Sequence, residues 1–320
     1  MHRTSYTQRP GPRALERGLT LVELMVAMTI GLLLIAATTA IFINSSNVRR
    51  QIESSADVIE NGRYGLDVLT RELSLAGYYG TLGAPNGVTI NLCSTDPAVW
   101  ADSLAVHAVG LNNAQADPAC LNRKAGTDAI FVQRASTCTT ADAGAGCGED
   151  ASNAYLQVSE CGDEYSITPF VVAKGQDAAL KLQTRACDGT KAEKRKLIRR
   201  IYYISTADVL SYVDVTLAGV TAPVPLVENI EQMQVEYAVD ANNDGTPDTF
   251  SATPADWSGA TGLRVWLLAR SADTSTQAAK ALTIQISDTT VDVPAAARNF
   301  KRRVYSTYIP FTTPKSRRES

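Results

Sequence analysis

From Leu24 to Ile43 the chain runs for 20 residues without a charged side chain. About 20 apolar residues, rising 1.5 Å each in a helix, cross the hydrocarbon core of a bilayer. A helix that is apolar all round has to be covered, by lipid or by other helices. Arg3, Arg9, Arg13 and Arg17 precede the run against Glu16 alone, and Arg49 and Arg50 follow it. Positive charge stays on the cytoplasmic side, so residues 1–18 are expected in the cytoplasm and the remainder across the membrane. One acid, Glu23, stands at the start of the apolar segment. A carboxylate there is either an end residue that reaches the interface or a group kept for a partner.

Two simpler readings explain less. A secretory signal peptide has a basic start and a short apolar stretch of about 7–15 residues before small residues at its cleavage site. The small residues exist at Ala36-Ala37-Thr38-Thr39-Ala40, but the apolar run is too long and Glu23 is out of place. A plain membrane anchor explains everything except Gly18 and Glu23 together.

The run Gly18-Leu19-Thr20-Leu21-Val22-Glu23, followed by the apolar stretch, resembles the class III signal of type IV prepilins and pseudopilins. The resemblance implies a prepilin-peptidase cut between Gly18 and Leu19 and N-methylation of Leu19, with the apolar helix retained. It also implies that Glu23, the fifth mature residue, pairs with the N-terminal amine of a neighbouring subunit during assembly. Leu19 stands where major pilins usually carry Phe, and Ala40 where many of them carry Pro. Both departures point away from a major pilin and leave the prepilin resemblance intact.

Loss of residues 1–18 would move the formal charge from −3 to −6, which does not suit a nucleic-acid binder. Six cysteines remain: Cys93, Cys120, Cys138, Cys147, Cys161 and Cys187. An even number in an oxidising compartment reads as a disulfide set. Six allow fifteen pairings, and proximity alone favours Cys93–Cys120, Cys138–Cys147 and Cys161–Cys187. No CxxC pair exists and His107 is the one imidazole after Gly18, so zinc is not expected.

Beyond Asn47 the helical pattern continues. Ile52, Ile59, Leu66 and Leu73 recur every seven residues, with Ser55, Gly62, Leu69 and Ala76 between them. That is one apolar-to-small stripe at helical spacing. No proline occurs between Leu19 and Ala84. A helix from Leu19 to about Gly77 would measure on the order of 90 Å. The segments Glu60-Asn61-Gly62-Arg63, Leu66-Asp67, Arg71, Leu73 and Ala76-Gly77-Tyr78-Tyr79-Gly80 resemble the PilW family of minor pilins. Leu226–Tyr237 and Gly262–Ser271 resemble the C-terminal pattern of the same family. Roughly residues 81–220 carry no motif of that kind.

From Thr81 onward short Val-, Ile- and Tyr-rich runs alternate with Gly, Asp, Asn and Pro. Strands are expected at 88–92, 103–109, 128–133, 154–158, 165–172, 197–205, 209–215, 234–239, 263–269, 282–286 and 303–311. The fold class is therefore α+β, a long N-terminal helix packed on an antiparallel β-rich domain, as in pilins. The expected divisions are a leader at 1–18, a membrane and filament-core helix at 19–43, its amphipathic continuation at 44–80, and a periplasmic β-rich domain at 81–320.

The loop Asp240-Ala241-Asn242-Asn243-Asp244-Gly245-Thr246-Pro247-Asp248 has the oxygen spacing of a calcium loop. Asp240, Asn242, Asp244, Thr246 and Asp248 are its candidate Ca2+ ligands. Ser251 stands where the bidentate Glu belongs, and Asp, Asn and Gly equally suit a polar turn, which ranks first. The basic stretch Lys191–Arg200, with Lys301, Arg302, Arg303, Lys315, Arg317 and Arg318, suggests phosphate contacts or a protected strand edge, and the acidic balance favours the edge. No GxSxG, HExxH or phosphate-binding loop is present, so no enzyme is expected.

The resemblance implies a minor pilin that helps initiate type IV pilus assembly and sits at or near the tip. Its partners would be other minor and major pilins, the prepilin peptidase, the inner-membrane assembly platform and a large tip adhesin. Its location would be the inner membrane, single-pass with a periplasmic C-terminal domain, and then the pilus. The alternatives are a type II secretion pseudopilin, which shares the N-terminus, and a membrane-anchored periplasmic binding module.

Overall fold

The computed structural model describes residues 20–83, 85, 90–145, 147–274 and 282–313. The chain divides into two compact units, 1–53 and 54–320. Helix α1, Leu21–Leu73, contributes residues to both. In the first unit its large apolar side chains, Leu21 through Ile43, are exposed.

In the second unit α1 buries Ser54, Val58, Gly62, Gly65, Leu69 and Leu73, spaced three or four apart. This seam is rotated from the expected stripe. Gly62, Leu69 and Leu73 are shared, but Ile52 is 65% exposed. Close approach of the sheet explains the rotation. A Cβ built on Gly62 would overlap the Tyr305 ring, and one on Gly65 would stand 2.9 Å from Leu267 Cδ1. The helix turns its smallest side chains, not its largest, toward that contact. It ends at Leu73, short of Gly77, because Thr312 N–H caps the Ser74 carbonyl at 3.0 Å. Gly77 then takes a φ of 73°, and its N–H donates to the Gln133 carbonyl.

A sheet of eight strands follows. Its main path is β1 (Ala108–Leu111), β2 (Ala129–Ala135), β5 (Lys194–Ile204), β3 (Ala154–Val158) and β4 (Phe170–Lys174). Strands β6 (Val209–Thr216), β7 (Gly219–Val220) and β8 (Val224–Glu228) extend it beside β5. A second sheet orders β10 (Thr249–Ser251), β9 (Ile230–Val239), β11 (Ala260–Thr274) and β14 (Phe300–Pro310). The hairpin β12–β13 (Leu282–Ile286, Thr289–Val293) stands beside it. All pairings are antiparallel. The α+β architecture is thus as the sequence indicates.

Two cores explain why β2 reads as a continuous apolar run. One, with Leu69, Ile130, Met233, Val265 and Ile309, lies among α1, the large sheet and the second sheet. The other, with Trp100, Phe131, Leu156, Ile201 and Val213, covers the opposite face of the large sheet. A strand buried on both faces loses its alternation.

Three expected strands differ. Residues 103–107 are turn and coil, because Gln133 draws Ser103 and Val106 carbonyls inward through its Nε2. Residues 90–92 are not strand, and 88–89 lie outside the described residues. The stretch 165–172 splits into helix α3 (Gly162–Ile167; the short α2 is Pro97–Ala101) and β4, since Tyr165 N–H reaches back to the Cys161 carbonyl at 2.8 Å.

Candidate assembly site

Gly18 and Leu19, the expected cleavage and methylation positions, lie outside the described residues. Glu23 is described, one turn into α1. Thr20 donates to Glu23 Oε2 from its backbone N–H and its hydroxyl, both at 2.9 Å. Glu23 N–H donates back to Thr20 Oγ1 at 3.2 Å. This reciprocal pair is a capping box, which satisfies orphan N–H groups at a helix start. Thr20 was missed as a functional residue on spacing grounds, although Thr-x-x-Glu carries the signal. The carboxylate expected to serve a neighbouring subunit therefore also has a task within its own chain. Behind it, Leu24 to Ile43 present an uncharged, uncovered surface.

The cysteines are joined as Cys93–Cys120, Cys138–Cys147 and Cys161–Cys187, and none is free. They close loops around the large sheet. None is available as a nucleophile.

The Asp240–Asp248 loop is a turn built on its own backbone. Asp240 is 2% exposed, and its two oxygens accept N–H groups of Asn243 (2.7 Å), Asp244 (3.3 Å) and Gly245 (2.9 Å). Asp248 Oδ2 accepts from Ala241 and Asn242, and Asp244 Oδ1 from Thr246 N–H. Asn242 Nδ2 donates to Asp244 Oδ2 at 3.1 Å. These are the bonds by which Asp and Asn stabilise tight turns. Among the described residues, no group of three or more His, Cys, Asp or Glu side chains is arranged to hold a metal ion.

The basic stretch is largely neutralised from within. Lys194 pairs with Glu149, and Arg200 pairs with Asp214 at 2.7 Å and Glu72 at 3.3 Å. Arg199 is 1% exposed, donates to the Asn91 and Ser94 carbonyls, and lies over the Trp100 and Phe131 rings. Burial lowers its pKa to about 10, so it remains a cation at neutral pH. It secures the loop that carries Cys93. Lys315, Arg317 and Arg318 lie outside the described residues.

His107 is buried, with Nε2 2.6 Å from the Ala260 carbonyl and its ring edge-on to Phe311. That is a packing role. An open cleft of about 640 Å³ runs beside β5, lined by Lys196, Arg200, Asp214, Thr216 and Asn153. Cys147 on its rim is in a disulfide, and His107 is not among its lining residues. The molecule's most unusual chemical surface is the uncovered apolar helix with its capped acid.

Comparison with known proteins bears on that surface. Residues 13–39 match the prokaryotic N-terminal methylation motif. Residues 172–312 match the family described as type IV pilus-assembly protein W, PilW. A type IV-like pilin from Thermus thermophilus aligns structurally over 80% of this chain and 95% of its own, at 13% identity and a TM-score of 0.34. At that overlap it carries no weight for fold or function. No curated protein matches the chain. With the methylation motif over its apolar helix and the PilW match over residues 172–312, the chain is a type IV pilin-like protein, similar to prepilin-type minor pilins of the PilW kind.

Proposed function

We propose that this membrane-anchored pilin helps initiate type IV pilus assembly and resides at or near the tip. The observation that carries the reading is the apolar surface of α1 from Leu21 to Ile43, exposed and carrying a charge only at Glu23. Such a surface is stable in lipid or among like helices, and in few other places. Before assembly it holds the chain in the inner membrane, with residues 54–320 in the periplasm. After a cut between Gly18 and Leu19, the new amine lies at the residue preceding Thr20. Glu23 keeps Oε2 on its own cap and offers Oε1 to the amine of a neighbouring subunit. Opposite charges meeting in a low-dielectric surround set register as well as attraction. The PilW match, which spans strands of both sheets, is the part of the 54–320 unit that meets other pilins in this reading. The pilin character points to a structural role.

Mass spectrometry of the protein from membranes tests this. The expected product begins at a methylated Leu19, and Gly18→Val retains residues 1–18. A chain beginning at Met1, or beyond Ala40, overturns the reading.

A further inference from the structure

The outer edge of β14 is long and regular, and no strand pairs with it among the described residues. Phe311 N–H donates to the Thr261 carbonyl at 2.8 Å and Lys301 N–H to Ser271 Oγ, both on the β11 side. N–H groups alternate sides along a strand. Arg302, Val304, Ser306 and Tyr308 therefore direct theirs away from β11. Pro310 stands in the same outward set, where a residue without N–H loses nothing. The Phe300 carbonyl is taken by Arg302 Nη1 at 3.0 Å, so the open segment begins at Arg302.

Proteins usually blunt such an edge by shortness, bulges, charge or a covering element. Here the strand has 11 residues, its pairing with β11 is regular from Arg302 to Pro310, and residues 304–309 carry no charge. The two faces beside the edge differ. On one, Tyr308 is 39% exposed and meets Phe250 edge-on, with Arg264 above the Phe250 ring at 4.3 Å. On the other, Arg303 is exposed above Tyr305 and has no carboxylate in salt-bridge reach among the described residues. Arg302, by contrast, is neutralised by Glu231 at 2.5 Å.

We infer that β14 accepts an extended strand from another protein by antiparallel addition, with an aromatic or β-branched residue opposite Tyr308 and a carboxylate opposite Arg303. Every pairing in this sheet is antiparallel, which sets the direction. The spacing of the partner's two residues follows from β14, where Tyr308 and Arg303 stand five apart on opposite faces. Main-chain bonds supply adhesion and the two side chains supply choice. The inference rests on the sheet edge and not on the pilus reading.

The test uses the full chain in detergent and a capped, fluorescein-labelled peptide, Thr-Tyr-Thr-Val-Thr-Val-Asp-Thr, followed by anisotropy. Saturable binding is expected below about 1 mM. Ser306→Pro removes an outward N–H without touching a β11 bond and should weaken binding about tenfold. Arg303→Glu should prefer the peptide with Lys in place of Asp. If Ser306→Pro does not fold, the wild-type chain is tested with a peptide N-methylated on the residues facing β14, and loss of binding supports the inference. No saturable binding, or binding indifferent to these changes, overturns it. Dimers of the chain that Ser306→Pro dissociates would assign the edge to a second copy and likewise overturn it.

Discussion

Gly62 shows how much a single position can decide. Ala is a better helix former than Gly by about 1 kcal/mol. Yet a methyl at Gly62 overlaps the Tyr305 ring, and overpacking costs about 1–3 kcal/mol. The clash outweighs the propensity, so Gly62→Ala is expected to destabilise the 54–320 unit by about 1–2 kcal/mol in urea unfolding. Tyr305→Ala should relieve most of that penalty in a double-mutant cycle. Asp128 is a second such position. It is 3% exposed and accepts N–H groups of Val235 (2.8 Å) and Asn113 (2.7 Å). Burial pushes its pKa up to about 6, against those donors and Arg123, while Asp288 adds to the rise. Its folded pKa lies above the unfolded value of 3.8, so the folded state binds the extra proton. Its contribution is full below that unfolded value and is lost as pH rises through about 6. Relative to Asp128→Asn, the wild type should lose about 3 kcal/mol between about pH 3.5 and pH 7. A difference independent of pH would refute the assignment.

The elements differ in how they are held. The disulfide Cys161–Cys187 spans 26 residues and ties α3 to the turn before β5, whereas Cys138–Cys147 spans 9. Loop-closure entropy values these at about 3.5 and about 2.6 kcal/mol. Replacing each pair with Ser should therefore lower stability more for Cys161–Cys187, by about 1 kcal/mol, and equal losses would argue against the entropic account. α1 is held differently in its two stretches. Toward its end, Val58, Leu69 and Leu73 enter the core shared by the two sheets. Toward its start, the Thr20–Glu23 box is the local device that begins the helix. The existence of this helix was legible from the apolar run and the lack of proline. Its buried face was legible in part, at Gly62, Leu69 and Leu73, but the close contact also selected Ser54, Val58 and Gly65, which the seven-residue period does not mark.

For the whole molecule, the separation of a greasy start from a self-sufficient remainder makes assembly and folding independently testable. The hydrogen bonds of Glu23 run to Thr20, within the first unit. Glu23→Ala is therefore expected to impair piliation, seen by shear preparation and electron microscopy, while thermal unfolding of the 54–320 unit stays unchanged. Normal piliation with this variant would count against charge pairing at that position. The cysteine pairs join neighbours in the sequence, which is why proximity pointed to the same three bonds now seen. The Asp240 loop shows where spacing stops informing. Oxygen atoms at regular intervals suit a cation and a turn alike, and only their directions show three N–H groups converging on Asp240.

By itself the amino-acid order determined the properties that accumulate along a chain. These are an uncharged run long enough for a bilayer, an uninterrupted helix, alternating strands and an even set of cysteines. Such properties depend on local period and composition, which need no knowledge of distant neighbours. Folding in three dimensions decided the rest. It chose the face of α1 that meets the sheet, sent Arg199 into the interior over the Trp100 and Phe131 rings, and left one edge of β14 without a paired strand among the described residues. Each of those outcomes depends on which remote backbone comes close, and the space left between backbones sets the side chain that fits.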